Sequence, residues 1–113
     1  MKYHHTGLPT RTPHEGETYI EALDIFCTDH LTNPYGVQWM RYGDECPLPD
    51  IVQHVAHVAF EVEDLSEALK GEEVIIEPNS PSAGVRVAFI IVDGAPVELL
   101  EFQDVLDDNS QTV

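Results

Sequence analysis

A chain of 113 residues with 42% hydrophobic content is long enough to bury one core without disulfide staples, which excludes disorder as its overall state. Its 21 acidic residues against five basic ones give a formal net charge of −16. That balance excludes nucleic acid and anionic membrane surfaces as partners, because too few Lys and Arg exist to displace counterions. The two cysteines, Cys27 and Cys46, match no zinc spacing, and no leader or apolar span is evident. A reduced, cytoplasmic protein is the expectation.

In chain order, Lys2 to Leu8 reads as a first strand stopped by Pro9. Residues 9–18, rich in Pro, Thr, Gly and Glu, are expected as a loop with at most one helical turn. Ile20 to Thr28 is a strand candidate, with a helical reading of Glu17 to Leu23 as the alternative. Residues 32–36 (Thr-Asn-Pro-Tyr-Gly) form a turn, since Asn-Pro initiates turns and Gly36 tolerates positive φ. Val37 to Tyr42 is the next strand, with Trp39 and Met40 as packing residues. A Gly, Asp and Pro-rich connection follows through Asp50.

The second half is clearer. Val52 to Val62 is expected to be mostly strand. Val58, Phe60 and Val62 alternate on one face, while His57, Ala59 and Glu61 share the other, which reads as the wall of a polar cavity. Asp64 is a helix N-cap with Glu67 three residues on, before Ala68 and Leu69, and Gly71 ends that short helix. Val74 to Glu77 is a strand, Pro78 to Gly84 a loop and Val85 to Val92 a strand. Asp93-Gly94 is a tight turn that pairs Pro96 to Phe102 back as a hairpin. From Asp104 the chain is polar and acidic, an expected flexible tail over 104–113.

A repeat lies beneath these elements. His5-Thr6-Gly7-Leu8 aligns with His57-Val58-Ala59-Phe60: histidine, any residue, a tiny residue, a large apolar one. Gly36-Val37-Gln38-Trp39-Met40 aligns with Pro96-Val97-Glu98-Leu99-Leu100. Two such copies about a pseudo-two-fold axis bring His5, Gln38, His57 and Glu98 together. Two imidazoles, an amide oxygen and a carboxylate form a set suited to Zn, Ni, Co, Mn or Fe(II). Strand alternation sends His4 and His54 to the faces opposite His5 and His57, so at most one of each pair enters the cavity. His14 and His30 fall in loops and receive no role.

These residues resemble the vicinal oxygen chelate superfamily, the glyoxalase, bleomycin-resistance and dioxygenase group. The likeness rests on His5-Thr6-Gly7-Leu8, on residues 56–62 with Asp64-Leu65 opening a helix, on Val87-Ala88-Phe89-Ile90, and on Asp93-Gly94 with residues 97–101. It implies an α+β fold of paired βαβββ modules forming a curved mixed sheet around a cavity. One domain then spans 1–103, with module one at about 1–50 and module two at about 51–103. Module one departs from the pattern by lacking its helix, so residues 10–20 or a second subunit must cover that face, and a homodimer is expected.

The resemblance implies metal positions at His5, Gln38, His57 and Glu98, hence one divalent ion, and a small-molecule substrate. The leading expectation is a lyase or isomerase acting on a small oxygenated carbon acid through a metal-chelated enolate, with Glu98 moving the proton and Glu61 a second base. The scarcity of Arg and Lys argues against glutathione or coenzyme A as part of the substrate. One rival is a metal-free binding protein of the bleomycin-resistance type, for which the acidic charge suits a cationic antibiotic. The other is an Fe(II) dioxygenase, which His5, His57 and Glu98 permit.

Overall fold

Eight short, alternately apolar segments pair into one curled mixed sheet in the computed structural model, which describes residues 1–103. The expected flexible tail, 104–113, lies outside the described residues. The first four strands are β1 (Lys2–Pro9), β2 (Thr18–Ile20), β3 (Ile25–Cys27) and β4 (Val37–Tyr42). The second four are β5 (His57–Glu61), β6 (Glu73–Ser82), β7 (Val85–Val92) and β8 (Ala95–Phe102). Two short helices, α1 (Asp50–His54) and α2 (Leu65–Ala68), complete the α+β fold.

The strand order β2-β3-β4-β1-β5-β8-β7-β6 is the same four-strand arrangement twice, joined through β1 and β5. Each module runs its first strand parallel to its fourth, and β1 meets β5 antiparallel. The registers match residue for residue. Thr6 pairs with Val37 and Gly7 with Gln38 in module one, while Val58 pairs with Val97 and Ala59 with Glu98 in module two. The repeat expected from sequence is therefore a repeat of hydrogen-bonding register.

Alternation along β7 and β8 divides the core between two faces. Ala59, Val85, Val87 and Leu100 pack on the concave face, and Ala88, Ile90 and Leu99 on the convex face beneath Leu65 of α2. Helix α2 forms because Asp64 caps it, its Oδ1 accepting from the Glu67 amide at 3.2 Å. Glu101 holds it down by accepting from the Leu65 amide at 3.0 Å. Full burial of Leu65 then contributes roughly 1.5–3 kcal/mol.

Module one has no counterpart to α2, as its sequence predicts: Pro9, Pro13 and Gly16 interrupt any helical run there. The loop itself covers the sheet. His14 stacks on Trp39, with ring centroids 4.5 Å apart, and Glu17 grips Arg41 through two hydrogen bonds of 3.0 and 2.7 Å. The Arg41 guanidinium lies 4.0 Å above the Phe26 ring.

Three sequence expectations are corrected. Ile20 to Thr28 is not one strand but the hairpin of β2 and β3, broken by a 3-10 turn at Glu21–Leu23 and by Asp24 at φ 52°. Val52 to Val62 is not mostly strand, since α1 occupies Asp50–His54 and β5 begins only at His57. Pro78 to Gly84 is not a loop up to Ser82, because β6 continues along β7 through three register shifts. Its prolines, Pro78 and Pro81, are tolerated because β6 is an edge strand. The Asp93-Gly94 turn is as expected, with φ of 50° and 84°, the primed hairpin geometry.

Candidate metal centre

The central strands set the site through two tiny residues. His5 lies across from Ala59 and His57 across from Gly7, while Ala59 neighbours Glu98 and Gly7 neighbours Gln38. Each tiny residue thus has an imidazole on one side and an amide or carboxylate on the other. The close approach is real at Gly7, where an added Cβ would stand 2.2 Å from Cε1 of His57. No side chain larger than hydrogen fits beneath that ring.

His5 Nε2 and His57 Nε2 each lie 3.2 Å from the same oxygen, Oε1 of Glu98. Both histidines are buried, and the Glu98 side chain is 13% exposed. Burial pushes the Glu98 carboxyl up, but hydrogen bonds from His5 and His57, together with their charge, outweigh it and hold the group at about 2. One ligand atom from each of these three residues lies within 4.8 Å of the others, so the group could hold a metal ion. Gln38 lines the same cavity. Its amide nitrogen donates to the Thr28 carbonyl at 2.9 Å, leaving its oxygen as the atom with ligand capacity.

The outer nitrogens of the two imidazoles differ. His5 Nδ1 shares a 2.7 Å hydrogen bond with His4 Nδ1, whereas His57 Nδ1 is buried with no partner among the described residues. If an ion takes Nε2 of a neutral histidine, Nδ1 carries the proton and needs an acceptor. His5 has one and His57 has not. The donor set fits a divalent ion, and its module-one half is the better oriented.

His4 was expected on the opposite face, and that expectation is corrected. Tyr3 pairs with Phe60 and His5 with Ala59, so His4 is an extra, unpaired residue in a β-bulge. The bulge breaks the alternation and turns both rings into the cavity. His4 also packs 4.4 Å from His30, which sits on a 3-10 turn (His30–Thr32) and lines the cavity as well. Burial and the neighbouring His5 and His30 push the His4 imidazole below its usual pKa. Neither residue is marked by the repeat. The repeat has alanine at position 56 where module one has His4, and nothing in the local pattern marks a bulge.

The other candidates lie apart. His54 ends α1, its Nδ1 bonded to the Asp50 carbonyl at 2.9 Å, so it leaves the site by helix rather than by strand alternation. Glu61 shares a face with His57 but is four residues along β5, about 13 Å at the usual strand rise. It pairs with Lys2 at 3.6 Å and lines a separate depression with Val62 and Phe102.

The cluster sits in a cavity of about 380 Å³ on the concave face of the sheet. Its walls are mainly apolar, including Ile25, Met40, Val52, Val87, Phe89 and Leu100. Among the described residues no helix is long and apolar enough to cross a membrane.

A curled mixed sheet of two like modules, with two histidines and a glutamate at their junction, is the class of protein that fold and site define. No family model matches the chain, and no curated protein does. Among solved structures it is similar to the hypothetical protein BH1468 from Bacillus halodurans C-125, at 16% identity and a TM-score of 0.66. That alignment covers 91% of this chain and 95% of the other, and it shows a shared fold.

Proposed function

We propose that the chain is a short member of the vicinal oxygen chelate group, a metal-dependent lyase or isomerase acting on a small oxygenated carbon acid. The observation that carries the reading is the convergence of His5 Nε2, His57 Nε2 and Glu98 Oε1 from equivalent positions of the two modules. His5, His57 and Glu98, with Gln38 as fourth donor, would hold one divalent ion. Such an ion supplies Lewis acidity to substrate oxygens beside it. Glu98 moves the proton. Both imidazole contacts fall on its Oε1, leaving Oε2 for a carbon acid's hydrogen. The apolar walls keep water from competing for that proton.

The experiment is deuterium exchange. Zn-, Ni-, Co- or Mn-loaded protein is mixed in D2O with a panel of α-hydroxyketones and α-ketoaldehydes and followed by NMR. Exchange at the carbon beside the carbonyl, lost in Glu98→Gln, supports the reading. Its absence across the panel with loaded protein refutes it. Two histidines and one carboxylate also favour a second reading, Fe(II)-dependent oxygenation, which predicts substrate-dependent oxygen consumption by anaerobically loaded protein.

A further inference from the structure

The five cations of this chain are all accounted for, and none lines the cavity. Arg41 is committed to Glu17, Arg86 pairs with Glu101 at 3.5 Å, Lys2 with Glu61, and Lys70 with Glu67. Arg11 lines a different depression, beside Arg41, Tyr42 and His54. Residues 104–113 contain neither Lys nor Arg, so they add no cation either. Charges beyond roughly 8 Å are screened at physiological ionic strength, so the local balance decides what enters.

At one end of the cavity His5 and His57 are turned onto Glu98, the three residues that would hold an ion. Away from the end where an ion would sit, a phosphate or carboxylate would lose its water without meeting any Lys or Arg side chain, which is unfavourable. Apolar side chains make up most of the remaining wall, with His4, His30, Gln38, Tyr42 and Asn79 as further polar groups. At about 30 Å³ per water, a 380 Å³ space corresponds to roughly a dozen non-hydrogen atoms.

We infer that the ligand of this cavity is a molecule of about that size with an uncharged, apolar body and its oxygen functions at the His5–His57–Glu98 end. It is neither a phosphorylated compound nor a carrier conjugate gripped through its phosphates or carboxylates. This rests on the functional reading above for the metal, but not for the apolar walls, which bind with or without an ion.

The test uses 2-hydroxyacetophenone, uncharged at neutral pH with two adjacent oxygens, and its para-phosphonate analogue. Metal content of the untagged protein is measured first. Binding is then followed through the methyl resonances of Val52, Val87 and Leu100, in apo and Zn-loaded samples. The neutral probe is expected to shift these methyls in both samples, more tightly when loaded. The phosphonate is expected to bind at least tenfold more weakly, and Leu48→Lys, placing a cation on the half-buried wall, should narrow that gap.

Equal or tighter binding of the phosphonate overturns the inference. So does ion uptake with no shift of these methyls by either probe, which leaves the metal reading standing. Shifts by the neutral probe without any ion uptake support the inference and overturn the metal reading instead.

Discussion

Replacing Gly7 with alanine tests whether the module junction holds His57 in place. The new Cβ would stand 2.2 Å from Cε1, 2.6 Å from Nε2 and 2.7 Å from Nδ1 of that ring. Carbon atoms rest at about 3.5 Å or more, so the ring or the strand must give by roughly 1.3 Å. Metal–ligand distances tolerate about 0.2 Å, so a displacement of that size takes His57 out of any coordination sphere. His57 has little room, being 2% exposed with Phe89 5.1 Å away on its edge. For stability two effects oppose each other. Removing a glycine gains about 0.4–1 kcal/mol through the unfolded chain, while overpacking costs about 1–3 kcal/mol. A 2.2 Å contact puts the overpacking cost at the top of its range, leaving a net loss of about 2–2.6 kcal/mol, read as a lower urea midpoint of metal-free protein. Zn affinity by competition with a chromogenic chelator should fall by at least the 10–100-fold that a misoriented ligand costs. A folded Gly7→Ala protein with wild-type Zn affinity would refute the placement of His57.

Three further outcomes follow from particular contacts. His4→Ala removes the partner of His5 Nδ1 and should weaken Zn binding by roughly 10–100-fold, with His4→Gln restoring part of it; unchanged affinity in His4→Ala counts against the oriented half-site. Leu65→Ala lies on the convex face and should cost about 2–5 kcal/mol in urea denaturation without changing Zn affinity, and a loss below about 1 kcal/mol contradicts the packing of α2. Glu17 is held at about 2, below its ordinary 4.5, chiefly by the hydrogen bonds from Arg41. Because its folded pKa is depressed, its contribution is complete above pH 4.5 and is lost as pH falls toward about 2. The stability difference between wild type and Glu17→Gln should therefore shrink across that window, and a difference independent of pH rules out the pair.

Much of the site was legible because a sheet register is written in its side chains. The histidine, tiny residue and large apolar residue of β1 and β5, and the valine before Gln38 and Glu98, identified the strands that meet and the faces they share. What escaped was set by neighbours rather than by local pattern. No propensity in Tyr3-His4-His5 announces a bulge, which shows only in the pairing with β5, where Tyr3 meets Phe60 and His5 meets Ala59. His30 enters the cavity because Asp29 starts a tight turn, its Oδ1 accepting from the Leu31 amide at 2.8 Å. Similarly, Pro78 and Pro81 read as loop residues, yet pairing with β7 holds them in an edge strand. Helix α1 was hidden because Val52 to Val62 is apolar enough for either structure, and the helix ends two residues before the strand that matters.

His5, His57 and Glu98 are proposed to form a metal centre. Its most direct test is the metal content of untagged protein purified without chelator, beside a His57→Ala, Glu98→Ala double variant. We predict about one divalent ion per chain in the wild type, lost in the folded variant. No ion in either protein, and no uptake when Ni, Co, Zn, Mn or Fe(II) is added, would contradict it.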